Sequence, residues 1–151
     1  MYPANFRYFA IRARDGRLWA YWNSVPGLTA GRLPRLDLDP DVWPKADVIL
    51  FAPATFNSLN SWALGLTQNF VVGVVAEGIG KGIPTVTMPC VNAAYAAHRQ
   101  LDRSITELRE QGVTVLYGEG GFTPNPPGSG TPKAYPWDAA LASAKQLVDR
   151  T

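Results

Sequence analysis

The chain has 151 residues, 46% of them hydrophobic and 17% charged, with 14 basic against 12 acidic side chains for a net charge of +2. That length suits one globular domain burying roughly two-thirds of its unfolded surface, with no disulfide or metal needed to hold it. The composition excludes disorder, the weak field excludes a dedicated nucleic-acid binder, and one cysteine excludes a disulfide framework or a cysteine-based zinc site.

The opening Met-Tyr-Pro-Ala-Asn-Phe-Arg lacks an apolar secretory core. No apolar run reaches the ~18 residues of a membrane span. With its single thiol, this reads as a cytoplasmic protein with no membrane or nucleic-acid partner. Phe6, Tyr8 and Ala10 alternate in period two, Arg14-Asp15-Gly16 makes a turn, and Leu18, Ala20 and Trp22 follow. That pattern predicts a β-hairpin, either an ordinary edge hairpin or one offering its aromatics to an oligomer contact. Residues 1–46 carry a net charge of +3 and the remainder −1. The shift falls just after an acidic, proline-containing stretch (Asp37, Asp39, Pro40, Asp41, Pro44), which reads as a linker. The expected organisation is a hairpin and linker over 1–46 and an α/β core over 47–151, one domain overall.

From Asp47 the pattern alternates strand and helix. Val48-Ile49-Leu50-Phe51-Ala52 is a continuous apolar run closed by Pro53, as a central parallel strand buried on both faces requires. A helix is predicted over 58–66, with Leu59, Trp62, Ala63 and Leu66 on one face and Thr55 or Asn57 as its cap. A second apolar helix is predicted over 70–77, ending in a glycine-rich stop. A strand over 84–89 follows, then a long helix over 93–111 with Ala94, His98, Leu101, Ile105 and Leu108 on its apolar side. A third strand is predicted over 113–117, then a Gly/Pro-rich segment over 118–136 and a terminal helix over 138–150. The expected fold class is α/β, a doubly wound parallel sheet with helices on both faces and an N-terminal hairpin.

Such sheets bind ligands at the carboxyl ends of their strands. There the chain carries Ala54-Thr55-Phe56-Asn57 after one strand and Cys90-Val91-Asn92 after the next. Both loops lead into helices, so backbone N–H groups and side-chain amides converge on one crevice. Amides and hydroxyls, without carboxylates or imidazoles, suit a neutral, planar, hydrogen-bonding ligand. The same residues also read as plain structure, with Thr55 and Asn57 as caps and Asn92 as a turn residue.

Taken together, these segments resemble a family. Asp47-Val-Ile-Leu-Phe-Ala-Pro-Ala-Thr-Phe-Asn57 is similar to the strand and Pro-Ala-Ser/Thr-Ala-Asn loop of the homo-oligomeric flavin-containing cysteine decarboxylases. Gly65-Leu-Thr-Gln-Asn69 is similar to that family's Gly-x-Ala-Asp-Asn segment, and Pro89-Cys-Val-Asn92 to its Pro-x-Met-Asn motif. The resemblance runs over residues 45–117. It implies a Rossmann-like, FMN-binding flavoprotein fold in which Ala54, Thr55 and Asn57 hold the flavin and Gln68 and Asn69 lie beside it. The resemblance further implies that Asn92 receives a substrate carboxylate. It also implies a small-molecule or peptide thiol substrate, and homo-oligomers, trimeric or larger, with flavin sites at subunit borders.

The departures are equally specific. The family's first strand and Gly-Ser/Thr phosphate loop have no counterpart before Asp47, which leaves Arg32 or Arg35 as substitute phosphate partners. The position of the family's catalytic histidine holds Asp39, taken here as a candidate catalytic residue with Asn92. Val91 stands for the motif's methionine and Tyr95-Ala96 for the Met-Trp after it. The Gly/Pro-rich segment lacks the flap cysteine, and Cys90 reads as a buried, inert thiol. The functional expectation is an FMN-binding relative without ordinary cysteine decarboxylation. The alternative is a non-catalytic binding or assembly protein on the same fold. An FMN prenyltransferase-like reading is disfavoured by Pro89-Cys90-Val91-Asn92.

Overall fold

The computed structural model describes the strand backbone of residues 8–12 and 18–22, and residues 46–126 and 134–150 in full. Strands β1 (Tyr8–Arg12) and β2 (Leu18–Trp22) pair antiparallel with Ala10 opposite Ala20, the hairpin that the alternation predicts. The core then runs β3 (Val48–Ala54), α1 (Phe56–Ala63), α2 (Phe70–Gly80) and β4 (Thr85–Pro89). It continues through α3 (Ala93–Ala96), α4 (Arg99–Glu110), β5 (Thr114–Val115) and α5 (Trp137–Asp149). The five strands lie in the order β2-β1-β3-β4-β5. β3, β4 and β5 are parallel, with Leu50 beside Val86 and Val86 beside Thr114. The hairpin joins β3 antiparallel, with Ile11 opposite Ile49, so the complete sheet is mixed around a parallel core.

β3 is central, and its apolar run follows from that position. Val48, Ile49, Leu50, Phe51 and Ala52 are all buried, which a strand covered on both faces demands. Ile49 and Phe51 face one side. Ile49 lies under Gly78 of α2, and the Phe51 ring sits 5.9 Å from that of Trp62 in α1. Side chains alternate along a strand, so Val48 and Leu50 face the other side. There α5 covers β3 and β4, with Ala140 and Ala144 buried. Thr87 of β4 donates a buried 2.8 Å hydrogen bond to the Phe51 carbonyl, adding a side-chain tie between the two central strands. Among the described residues, no helix is long and apolar enough to cross a membrane.

Four elements depart from the periodicity reading. α1 begins at Phe56 and stops at Ala63, leaving Leu66 47% exposed instead of on the helix's apolar face. Thr55 is its cap, and Asn57 lies in the first turn. α2 runs on to Gly80 because Gly78 is an approach point rather than a stop. A Cβ there would stand 2.6 Å from Ile49 Cδ1, so glycine lets the helix lie close against β3. β5 has only two residues, since Gly118 at φ +89° and Gly120 at φ +78° turn the chain back and Tyr117 bridges to Phe122. The expected helix over 93–111 is broken. His98 takes extended backbone angles (φ −79°, ψ 118°), and its Nδ1 accepts the Gln100 N–H, so it caps α4 instead of continuing α3. His98 is exposed, not packed on an apolar side.

Candidate functional site

The carboxyl ends of β3 and β4 are adjacent and tied together. The Cys90 N–H donates to the Ala54 carbonyl at 2.8 Å, where the β3–β4 register shifts between Phe51 and Ala54 and the Ala52–Pro53 peptide is cis. The loop after β3 and the loop after β4 therefore lie side by side as two lips, and each lip is closed by a helix cap.

On the first lip, Thr55 Oγ1 accepts the Ser58 N–H at 3.4 Å and lies 3.0 Å from Ser58 Oγ. This satisfies one of the free amides at the start of α1. Asn57, two residues on, is exposed, and its side chain takes no part in the cap. On the second lip, Asn92 Oδ1 accepts the Tyr95 N–H at 2.9 Å. An amide has one acceptor oxygen and a two-proton nitrogen, so the cap leaves Asn92 Nδ2 as the outward donor. The first-lip cap leaves the exposed Asn57 amide uncommitted in the same way. The cap reading and the site reading of these residues are thus compatible.

A third strand of chain closes on the second lip. Asn125 bridges to Asn92 in parallel register, and the Ala93 N–H donates to the Asn125 carbonyl at 2.9 Å. The turn that brings it there is tight, since a Cβ at Gly121 would lie 2.5 Å from the Leu116 carbonyl carbon.

Aromatic groups join the lips. The Phe56 ring, between Thr55 and Asn57 in sequence, stacks on Tyr95 with centroids 4.8 Å apart at 25°. The His98 imidazole meets Phe56 edge-on at 5.5 Å and 72°. With Nδ1 accepting from Gln100, the neutral ring carries its proton on Nε2. Cys90 is half-buried, and burial pushes its thiol pKa up, which keeps it protonated and a weak nucleophile. Among the described residues, no group of three or more His, Cys, Asp or Glu side chains is placed to hold a metal.

The structure thus sets the loop that carries Ala54, Thr55 and Asn57 beside the loop that leads to Asn92. Asn69 caps α2, its Oδ1 accepting the Val72 N–H at 2.9 Å, and Gln68 is exposed beside it. No contact ties these two to the lips. Asp39, Arg32 and Arg35 lie outside the described residues. The sequence reading gives no site role to Phe56, Tyr95, His98 or Asn125. For the first two a signal was available, an aromatic residue close to each crevice amide. His98 was hidden because it fell in register with the apolar positions 94, 101, 105 and 108. The arrangement offers amide and hydroxyl groups around an aromatic wall, a donor set for a planar, neutral, hydrogen-bonding ring rather than for metal-assisted hydrolysis.

The model of the Flavoprotein family matches residues 32–149. No curated protein sequence matches the chain. Among solved structures the chain is similar to the FMN-dependent cysteine decarboxylase SpaF, at 27% identity and a TM-score of 0.50, over 69% of this chain and 53% of that one. It is also similar to the FMN-dependent cysteine decarboxylase TvaF from thioviridamide biosynthesis (24%, TM-score 0.51, 69% of this chain and 51% of that one). The FMN binding protein AtHal3 is a third (19%, TM-score 0.55, 70% and 56%). The last two are likenesses of fold alone. The chain spans about half the length of the structures it matches.

Proposed function

We propose, from the premise that this chain belongs to the Flavoprotein family, that it binds FMN in the crevice between the Thr55 and Asn92 lips and that ordinary cysteine decarboxylation is not its activity. The observation that carries this reading is the hydrogen bond from Cys90 to Ala54, which ties the loop bearing Thr55 and Asn57 to the loop leading to Asn92. Their donors and acceptors suit the hydrogen-bonding edge of an isoalloxazine, and the Phe56 and Tyr95 rings suit its apolar surroundings. Ala54, Thr55 and Asn57 hold the ring, Gln68 and Asn69 lie beside it, and Asn92 Nδ2 takes the carboxylate of a small-molecule or peptide thiol substrate. FMN, when bound, supplies the electron acceptor for oxidation of that thiol.

The chain's own groups argue against the usual outcome. Asp39 stands where the resemblance places the family's catalytic histidine. A carboxylate with a reference pKa of about 3.9 is a poor proton acceptor at neutral pH compared with an imidazole at about 6.5. The protein works in the cytoplasm, a setting its single free thiol suits, and it works as a homo-oligomer. Leu64 and Leu66 are 61% and 47% exposed, and Phe70 nearby is 65% exposed, apolar surface that self-association would cover.

Absorbance of the purified protein tests the cofactor. A flavin band near about 450 nm, lost in the Thr55→Ala, Asn57→Ala double variant, is the expected result. Colourless protein that takes up no added FMN would instead mark a non-catalytic scaffold. Turnover of phosphopantothenoylcysteine or of a peptide ending in cysteine, abolished by Asn92→Ala, would overturn the claim about decarboxylation.

A further inference from the structure

We propose that the Phe56–Tyr95 stack is a specificity-determining subsite that takes a planar aromatic group of the ligand whose carboxylate Asn92 holds. This rests on the reading of Asn92 as a carboxylate anchor.

Three observations meet at Tyr95. Tyr95 is 51% exposed although its ring stacks on Phe56, so the residue keeps accessible surface beyond the stack. The stack is also held in place from the second lip. The backbone N–H of Tyr95 is bound by Asn92 Oδ1 at 2.9 Å, the Ala96 N–H donates to the Asn92 carbonyl at 2.9 Å, and the far partner Phe56 is buttressed by the His98 ring. A large aromatic held open and rigid next to a crevice has little conformational entropy left to lose when a ligand stacks on it. Finally, Asn92 and Tyr95 are three residues apart at the start of α3, roughly 4.5 Å of helical rise. A ligand whose carboxylate sits on Asn92 therefore has the Tyr95 ring within reach of a group two or three bonds away.

The chemistry of that ring selects planarity. An aliphatic group gains only the area it buries, whereas a ring stacked on Tyr95 also gains the quadrupole complementarity of an aromatic pair. The subsite thus favours substrates with an aromatic ring close to the carboxylate over aliphatic ones of the same bulk.

Titration of the 151-residue protein with 3-phenylpropanoate and 3-cyclohexylpropanoate, followed by backbone amide resonances, tests this. The two share the carboxylate and spacing and have similar apolar bulk. The phenyl compound is expected to bind about threefold to tenfold more tightly and to shift the amides of Phe56 and Tyr95. Tyr95→Ala should erase that preference, and Tyr95→Phe, which keeps the ring, should retain it. Equal binding of the two compounds, an unchanged preference in Tyr95→Ala, or no response at Tyr95 because a second copy covers it, would each overturn the proposal. The neutral 3-phenylpropanamide separates the two readings. If it binds as tightly as the acid, and still depends on Tyr95, the aromatic subsite stands while Asn92 is refuted as a carboxylate anchor.

Discussion

The phenol of Tyr135 donates a 2.6 Å hydrogen bond to the carbonyl of Met88, 47 residues earlier in the chain. Both groups are buried, and the bond fastens the approach to α5 to β4 directly beneath the second lip of the crevice. Phe122 and Trp137 pack against the same ring at 5.7 and 4.8 Å, so the phenol is held in position. Tyr135→Phe keeps this packing and strands the Met88 carbonyl. It should lower stability by about 1–3 kcal/mol, the range for leaving a buried polar group unpaired. In urea the midpoint falls while the slope stays constant, and an unchanged midpoint would contradict the assignment.

Two glycines of α2 should respond oppositely to alanine. Nothing lies within 4 Å of a Cβ at Gly73, so Gly73→Ala should stabilise by up to about 1 kcal/mol through helix propensity and reduced unfolded-state entropy. At Gly78 the added methyl would meet Ile49 Cδ1 at 2.6 Å inside the core. Overpacking of that kind costs about 1–3 kcal/mol, more than the propensity gain offsets. Ile49→Val removes the offending methyl, so the double variant should recover part of the loss. Thermal melts of the four proteins form the cycle, and additive losses would show that the two side chains do not meet.

Thr55 and Asn57 separate folding from binding. Thr55 caps α1, so Thr55→Ala should cost about 0.5–2 kcal/mol of stability besides any effect on flavin. Asn57 is exposed and supports no cap, so Asn57→Ala should leave the melting curve within about 0.5 kcal/mol of wild type. Its effect should instead appear as weaker retention of FMN in absorbance titrations. A loss of stability without a loss of flavin would reverse the assignment of Asn57.

Cys90 gives a pH dependence with a definite sign. Burial raises its thiol pKa in the folded protein, while the unfolded chain ionises near about 8.5. Above that pH the unfolded state binds fewer protons than the folded one, so stability declines as pH rises and is unaffected by this group in acid. Cys90→Ala should flatten the decline between neutral and alkaline pH. Some slope should persist at still higher pH, since burial and the charge of Asp102 raise the Tyr117 pKa in the same direction. In the wild type, alkylation of Cys90 by iodoacetamide should reach half-maximal rate at higher pH than alkylation of a free thiol. An ordinary profile would contradict the burial.

The order of the parallel core was legible in the sequence because its causes are local. A strand covered on both faces must be apolar throughout, and Val48, Ile49, Leu50, Phe51 and Ala52 are. Thr55, Asn69 and Asn92 are residue types whose short side chains bind amides three positions on, and each is a cap in the structure. The same local motifs carried the family resemblance, which the Flavoprotein match over residues 32–149 bears out. What only the tertiary structure decided depends on groups far apart in sequence or on a competition that a pattern does not reveal. His98 fits a 3.6-residue repeat with its neighbours, yet its ring nitrogen binds the Gln100 amide and ends that repeat. Gly78 reads as a helix stop until the methyl of Ile49 is found pressed against it. Phe56 and Tyr95 belong to different helices, α1 and α3, and nothing in either segment specifies that the rings meet. That follows from the side-by-side placement of β3 and β4 and from the Cys90–Ala54 hydrogen bond, which together set the distance between the two lips.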